Sequence, residues 1–180
     1  MKKPAQLKSV AHHRGRVVTV YSDRLRFDNG QEYDIDMIRH PGASAIVAID
    51  DQRRVCLVSQ YRHGIEDFLW EIPAGKLDGG ERPDSAAVRE LAEEAGVAAQ
   101  HWESLGVYLP APGLLTEKVY LFMALRLTKG EAAPESDEEL ELRWLPLEEA
   151  VRMVLDGRLD DGKTALGLLR AHARLQGFPQ

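Results

Sequence analysis

Residues 75–97 read GKLDGGERPDSAAVRELAEEAGV, and this stretch is the most informative part of the sequence. Its beginning is rich in glycine and charged residues, which is typical of a loop. Pro83 is well placed to begin a helix, because a first-turn residue needs no backbone N–H. Gly96 is well placed to end that helix, since glycine readily adopts a left-handed backbone conformation. We therefore expect a loop followed by a helix that runs to about Gly96.

The second half of the predicted helix carries three carboxylates close together. With Glu90 at zero on a helical wheel, Glu94 lies at about 40° and Glu93 at about −60°. The neighbouring face is apolar and consists of Ala87, Val88, Leu91 and Ala95. Like charges one turn apart cost a helix roughly 0.2–0.5 kcal/mol per pair. A bound divalent cation would reverse that repulsion. A solvated acidic face is the alternative that the helix alone leaves open.

The residues that precede the helix favour the metal interpretation. Five residues separate Gly75 from Glu81, and seven separate Glu81 from the segment Arg89–Val97. Residue types and spacing together resemble the complete signature of the Nudix hydrolase family. The resemblance implies an α/β (α+β) fold, a Nudix-type α/β/α sandwich with a mixed sheet. It also implies hydrolysis of a pyrophosphate bond with Mg²⁺, for which Mn²⁺ could substitute.

The same resemblance implies a role for each residue of the signature. It assigns metal binding to Ala74, Gly75, Glu81, Glu90 and Glu94. Of these, Glu90 and Glu94 would be direct ligands, Ala74 or Gly75 would contribute a backbone carbonyl, and Glu81 would brace the loop or reach a metal through water. In the catalytic group, Glu93 would ligate or hydrogen-bond beside the metals and Arg89 would orient the carboxylates. The remaining glycines of the loop, Gly79 and Gly80, are expected to serve turn geometry.

Residues outside this stretch indicate which pyrophosphate is cut. The run Trp70–Asp78 resembles the one found in ADP-ribose and nucleoside-diphosphate-sugar pyrophosphatases. Pro112 lies 16 residues beyond Gly96, a spacing similar to the proline of the ADP-ribose branch, although Leu114-Leu115 departs from that branch's loop. The residues expected to bind substrate are Arg62, Glu71, Pro112 and Glu117. The expected products of ADP-ribose are AMP and ribose 5-phosphate.

Two of these positions also carry expectations from side-chain chemistry. Arg62 is a candidate phosphate or ribose contact, because a guanidinium pairs bidentately with phosphate oxygens. Trp70 is expected to be buried, with stacking on a base as the alternative.

An acidic segment near residue 138 is the candidate source of a general base. In related enzymes a glutamate from this loop closes onto the substrate, and Glu138 best matches its place before the strand Leu140–Leu145. The rival acids in the same segment are Glu135, Asp137 and Glu139.

Composition limits the remaining function classes. The chain has 180 residues, 44% of them hydrophobic, and a formal net charge of −6. A nucleic-acid partner is not expected, because no basic footprint is apparent. No stretch approaches 18 apolar residues, so neither a membrane span nor a membrane partner is expected. The single cysteine, Cys56, lies in an apolar run and is expected to be a small buried residue. We expect a cytoplasmic protein.

Short strands are expected at both ends of the signature. Asn29-Gly30 predicts a hairpin turn, because both residues tolerate positive φ. The predicted strands are Arg16–Tyr21, Leu25–Asp28, Glu32–Met37, Ala43–Ile49, Val55–Tyr61, Phe68–Pro73 (a short extended segment), Glu103–Tyr108, Val119–Leu125 and Leu140–Leu145. The predicted later helices are Leu147–Asp156 and Lys163–Gln176, and Thr128–Asp137 is expected to be a loop. Residues 1–40 would form a small antiparallel β-strand subdomain and residues 41–180 the hydrolase domain.

Three alternative functions remain, and a homodimer is expected. The chain could instead hydrolyse a nucleotide sugar such as GDP-mannose, or be a non-catalytic Nudix-like regulator that senses a nucleotide. An RNA-directed enzyme is disfavoured by the net charge. Related enzymes are commonly homodimers, which gives residues 1–40 an expected role in dimerisation.

Overall fold

The computed structural model describes residues 2–130 and 141–177 of the chain. The strands are β1 (Ala5–Arg14), β2 (Thr19–Arg26), β3 (Glu32–Arg39), β4 (Ala43–Ala48), β5 (Arg54–Arg62), β6 (Asp67–Glu71), β7 (Ala74–Lys76), β8 (Val97–Tyr108), β9 (Val119–Lys129) and β10 (Glu141–Pro146). The helices are α1 (Pro83–Ala95), α2 (Leu147–Leu155) and α3 (Gly162–Leu175). The described part of the chain contains no helix long and apolar enough to span a membrane.

The chain divides into two compact units, and the first contains β1, β2, β3 and the segment Leu109–Lys118. Its strands form an antiparallel sheet in the order β1-β2-β3. The expected turn lies between β2 and β3, where Gly30 has a φ of 79°. The two strands predicted on either side of residue 23 are one continuous strand, β2, and β1 was not predicted. Nearly every residue of β1 is exposed, so the strand lacks the apolar alternation by which strands are recognised.

The second unit holds the remaining elements and contains two sheets. Strands β7, β4, β9 and β8 form a four-stranded sheet in that order, in which β4 and β9 are parallel and the other pairs antiparallel. Strands β10, β5 and β6 form an antiparallel sheet. The mixed sheet expected from the sequence is thereby confirmed.

Strand β4 separates two layers of the core. All six of its residues are buried, and successive side chains of a strand point to opposite faces. Val47 packs in a cluster with residues of α2 and α3, such as Leu147 and Leu168. Ile46 packs in a second cluster that includes Leu91 of α1. Helices therefore cover both faces of the sheet, as expected for an α/β/α sandwich.

The helices begin and end within one residue of the predicted positions, whereas several strands differ more. Strand β8 begins at Val97 rather than Glu103, and β9 continues to Lys129, across the start of the predicted acidic loop. The segment Gly75–Arg82, expected as a loop, contains part of the short strand β7. In the first half of β8, Val97, Ala99 and Trp102 are partly buried and pack against the core. The small and polar residues between them weaken the apolar pattern, which explains why the sequence did not reveal this part of the strand.

Candidate active site

Helix α1 carries the predicted signature, and local interactions fix both of its ends. Pro83 is the first helical residue, and its carbonyl accepts a hydrogen bond of 2.7 Å from the Ser44 hydroxyl of β4. Gly96 ends the helix with a φ of 62°, and its N–H donates to the Ala92 carbonyl. Anchored at the sheet in this way, the helix presents a fixed face to the rest of the unit.

Two of the predicted metal ligands lie on the buried face of α1. Glu90 is 9% exposed and Glu94 is 6% exposed, whereas Val88, expected on the apolar face, is 50% exposed. The packed face of the helix is thus rotated toward the carboxylates and away from Val88. An ionised carboxylate shielded from water is unfavourable unless cations or hydrogen bonds compensate it. These two buried carboxylates therefore depend on compensating charge or hydrogen bonds from their neighbours.

Arg89 connects the carboxylates of the signature. Its Nη1 lies 2.8 Å from Glu90 Oε1 and 2.8 Å from Glu93 Oε2, and its Nη2 lies 3.0 Å from Glu81 Oε2. Nη2 also donates to the Lys76 carbonyl at 3.2 Å. The hydrogen bonds from Arg89 hold the pKa of Glu81 below its usual range, and those same bonds raise the pKa of Arg89. The guanidinium is thus placed to orient these carboxylates.

The loop before α1 approaches the helix very closely. A Cβ built on Gly75 would overlap the carboxylate of Glu90. One residue earlier, the Ala74 N–H donates to Glu94 Oε2 at 2.9 Å. Gly75 is therefore needed for close approach, whereas Gly79 has open space around it and Gly80 has a φ of 84°. The last two fit the expected role in turn geometry.

Arg62 and Glu71, two of the predicted substrate contacts, form an ion pair with each other. Arg62 Nε donates to Glu71 Oε1 at 3.0 Å, and Nη2 makes a short contact with Oε2. Lys163, which the sequence did not single out, lies 3.0 Å from the same Oε2. Lys163 is about 90 positions from Glu71 along the chain, and only the fold brings the two together. The one local signal was Asp161, a residue of a type suited to cap the helix in whose first turn Lys163 lies.

The negative charge of Glu94 affects the pKa values of two other side chains, those of Cys56 and Arg62. Burial raises the pKa of the Cys56 thiol to about 12, and the negative charge of Glu94 adds to the increase. Cys56 is therefore a neutral, buried residue, as expected. Burial opposes the charge of Arg62, but hydrogen bonds and attraction from Glu71, together with the charge of Glu94, raise its pKa. Arg62 and the carboxylates of α1 thus belong to one electrostatic environment.

The remaining predicted residues belong to other elements of the chain or fall outside the described ranges. Trp70 is partly buried, with the guanidinium of Arg143 stacked 4.5 Å above its ring, which fits the expectation of burial. Pro112 and Glu117 belong to the first unit, where Glu117 Oε1 lies 3.4 Å from His40 Nδ1. The predicted base Glu138 and its rivals fall within residues 131–140, which the structure does not describe.

The chemistry of the site fits a hard divalent cation. Its donors are carboxylate and backbone oxygens, the ligands that Mg²⁺ prefers. Two of the carboxylates are at least nine-tenths buried, beside a loop that leaves no room for a Cβ at Gly75. Within residues 2–130 and 141–177, no three His, Cys, Asp or Glu side chains are grouped closely enough to hold a metal ion together. Glu90 and Glu93 face Arg89 instead, so metal binding would require their carboxylates to turn away from the guanidinium.

Comparison with known proteins identifies a matching family and relatives that align over most of their length. A family model described as NUDIX domain matches residues 38–166. An ADP-ribose pyrophosphatase of Mycobacterium tuberculosis is 37% identical, over 97% of this chain and 86% of that protein. A methanol dehydrogenase activator of Bacillus methanolicus is 38% identical, over 86% of this chain and 84% of that protein.

A solved structure has the same fold. The crystal structure of an ADP compounds hydrolase superposes with a TM-score of 0.82 and 27% sequence identity. The match covers 98% of this chain and 97% of that one. The similarity therefore extends over nearly the whole chain and not over the signature alone.

Proposed function

This chain belongs to the NUDIX domain family and is a Nudix hydrolase, and we propose that it uses Mg²⁺ to hydrolyse ADP-ribose to AMP and ribose 5-phosphate. The observation that carries the proposal is the burial of Glu90 and Glu94 against the loop at Gly75. Arg89 and the Ala74 N–H partly compensate these two buried charges, and a divalent cation bound at the same place would compensate them further. Nudix hydrolases generally use divalent metal ions, and Mg²⁺ with Mn²⁺ as a substitute is our specific assignment.

The charge of the substrate explains why the carboxylates need the metal. A diphosphate would be repelled by the acidic residues of α1, and the chain as a whole has a net charge of −6. Divalent ions supply charge neutralisation and a lowered pKa of water at such a site. Glu90, Glu94 and a backbone carbonyl of Ala74 or Gly75 would hold the ions, with Glu81 bracing the loop.

The protein's own side chains would position the reactants. Arg62 would bind a phosphate oxygen, and Arg89 would keep the carboxylates of α1 oriented, with Glu93 beside the metals. Water attacks one phosphorus, a new P–O bond forms, and the bond to the bridging oxygen breaks. The proton of the water passes to a carboxylate base, for which we propose Glu138.

Similarity to known proteins supports ADP-ribose as the substrate. The ADP-ribose pyrophosphatase of Mycobacterium tuberculosis aligns with 97% of this chain, so the similarity includes the segments outside the signature. The superposed crystal structure is that of an ADP compounds hydrolase. We propose that Glu71 acts through Arg62, and that Pro112 and Glu117 contribute to substrate binding.

We further propose that the protein is a cytoplasmic homodimer in which residues 1–40 form the dimerisation subdomain and residues 41–180 the hydrolase domain. Within the first unit, β1 is an edge strand of ten residues, and its Leu7 and Val10 are exposed. Long exposed edge strands are normally covered by another chain or element. The single cysteine is buried and free, which fits a reducing compartment.

One assay distinguishes this function from its alternatives. Turnover of ADP-ribose and of GDP-mannose is measured side by side, with Mg²⁺ and with a chelator. We expect ADP-ribose to be hydrolysed faster, and only with the metal. Faster GDP-mannose hydrolysis would instead support the nucleotide-sugar alternative. Binding without turnover of either compound would support a nucleotide-sensing module.

A substitution tests the metal assignment within the same assay. Glu94→Gln removes one negative oxygen ligand and is expected to reduce turnover by about 100-fold or more. The matched control is Glu103→Gln, which removes the same charge from β8, where the side chain contacts His101. Near-wild-type turnover by Glu94→Gln would contradict the assignment.

A further inference from the structure

Four charged side chains form a compact cluster at the N-terminus of α3, which we call the ion cluster: Arg62, Glu71, Asp161 and Lys163. Lys163 Nζ lies 3.0 Å from Glu71 Oε2 and 3.0 Å from Asp161 Oδ2. Arg62 contacts both carboxylate oxygens of Glu71. Two positive and two negative charges alternate, so the cluster is neutral overall. Lys163 is the member that connects α3 to β6.

Exposure varies sharply across the ion cluster. The side chains of Glu71, Lys163 and Asp161 are 3%, 15% and 17% exposed, whereas that of Arg62 is 39% exposed. Three members are therefore enclosed and the fourth is open to a ligand. An enclosed ion keeps its orientation because movement would separate it from its partners in a poorly hydrated region.

The orientation of Arg62 follows from its bonds to Glu71. These bonds use the edge of the guanidinium between Nε and Nη2. The adjacent edge, between Nη1 and Nη2, is the one left for a phosphate, since a guanidinium binds oxyanions along an edge. The direction of that edge depends on where Glu71 is held. Lys163 and Arg62 share Glu71 Oε2, so Lys163 helps to determine that place.

We propose that Lys163 is a positioning residue that fixes Glu71 and thereby aims Arg62 at a phosphate of the substrate. The inference rests on the proposed function, because it assumes that Arg62 binds a diphosphate. Lys163 itself need not touch substrate. Without it, Glu71 would lose a cation on Oε2 and draw Arg62 further toward itself and Asp161. The open edge of Arg62 would then be misdirected.

Helix α3 begins at Gly162, and its first turn does not require Lys163 for a purely structural role. Asp161 caps α3 by accepting hydrogen bonds from the Thr164 N–H at 2.9 Å and the Thr164 hydroxyl at 2.6 Å. The Thr164 hydroxyl oxygen in turn accepts from the Ile72 N–H at 3.0 Å. These contacts join α3 to the end of β6 without Lys163. Its bond to Glu71 is therefore additional to what the helix needs.

The test uses Lys163→Met in the full chain, with kcat and KM for ADP-ribose measured separately. We expect KM to rise roughly tenfold to a hundredfold, because small displacements of a binding group have effects of that size. We expect kcat to change by only about twofold, since the carboxylates of α1 are untouched. Lys163→Arg keeps the charge and is expected to restore most of the lost affinity. The control is Arg158→Met, which breaks an exposed ion pair with Asp156 and should leave both constants unchanged.

Binding without turnover supplies the second readout. Calorimetry with a methylene analogue of ADP-ribose should show the same loss of affinity for Lys163→Met and its recovery in Lys163→Arg. Should Lys163→Met not fold, Lys163→Gln replaces it, with the same direction expected for KM. An unchanged KM and analogue affinity would overturn the proposal, and so would a fall in kcat alone.

A failure of the positioning role of Lys163 can be distinguished from a failure of the proposed function. If the wild-type chain hydrolyses ADP-ribose while Lys163→Met retains its KM, the positioning role fails and the function stands. If the wild-type chain neither binds nor hydrolyses ADP-ribose, the function fails and Lys163 has no substrate to position.

Discussion

At the scale of single residues, Gly75 decides whether Glu90 can occupy its place. A Cβ at this position would overlap the Glu90 carboxylate, so Gly75→Ala must displace either the side chain or the loop. We expect turnover to fall by about 100-fold, because a displacement of about 1 Å can have that effect. Gly79→Ala is the control, since nothing lies within 4 Å of a Cβ there. Equal activities of the two variants would show that the close approach has no bearing on catalysis.

Arg89 is a second residue whose geometry makes a clear prediction. One guanidinium contacts Glu81, Glu90 and Glu93, and a lysine has no planar group to replace it. Arg89→Lys should therefore weaken the apparent Mg²⁺ affinity by about 10–100-fold, measured by titrating activity with the metal. Arg82→Lys, in the exposed pair with Asp84, is the matched control. An unaltered Mg²⁺ titration for Arg89→Lys would show that its contacts do not orient the ligands.

The sequence identified some of these residues and not others, for a physical reason. Glu90 and Glu94 were recognisable because their spacing along one helix is itself the chemical signal. Lys163 was not, because its partner Glu71 lies on a distant strand and their contact exists only after folding. Val88 was placed on the wrong side of the helix, since an apolar residue at the edge of a helical face can remain exposed.

At the scale of elements, the cap of α3 predicts a pH-dependent contribution to stability. Burial would raise the pKa of Asp161, but attraction to Lys163 and hydrogen bonds from Thr164 outweigh burial and lower it. A lowered pKa means that Asp161 stabilises the fold above its ordinary value of 3.8 and loses this contribution as the pH falls through the folded-state value.

Asp161→Ala therefore tests the cap by urea unfolding at two pH values. We expect the free energy of unfolding to fall by about 0.5–2 kcal/mol at pH near 7, as for other N-cap substitutions. The difference from wild type should shrink at pH well below 3.8. Asp160→Ala is the control, because Asp160 is the exposed residue next to Asp161. A deficit in Asp161→Ala that is the same at both pH values would contradict the electrostatic explanation.

The elements also show which parts of the fold are determined by local sequence and which by pairing with distant strands. Helix α1 was predicted nearly to the residue, because Pro83 and Gly96 set its ends by local geometry. Strand β1 and the first half of β8 were missed, because both are determined mainly by pairing with β2 and β9. Apolar patterning cannot reveal a strand such as β1, nearly all of whose residues are exposed, and it is weak in the first half of β8, where small and polar residues predominate.

At the scale of the whole molecule, the homodimer is the expectation that the structure leaves to experiment. Sedimentation velocity should give twice the mass of one chain. A lysine introduced at Val10 in β1 should shift that mass toward the monomer, because it places charge along an exposed edge. Val17→Lys, at a similarly exposed position between β1 and β2, should leave the mass unchanged. A monomeric wild-type chain at micromolar concentration would contradict the assembly.

The proposed hydrolysis depends on divalent ions being held by the carboxylates of α1. Calorimetric titration of the protein with Mn²⁺, in the presence of a non-hydrolysable ADP-ribose analogue, measures this directly. We predict binding by the wild-type chain and by Glu103→Gln, and a loss of at least about tenfold in affinity for Glu94→Gln. Wild-type protein that takes up no Mn²⁺ under these conditions, or Glu94→Gln that binds it equally well, would contradict the account.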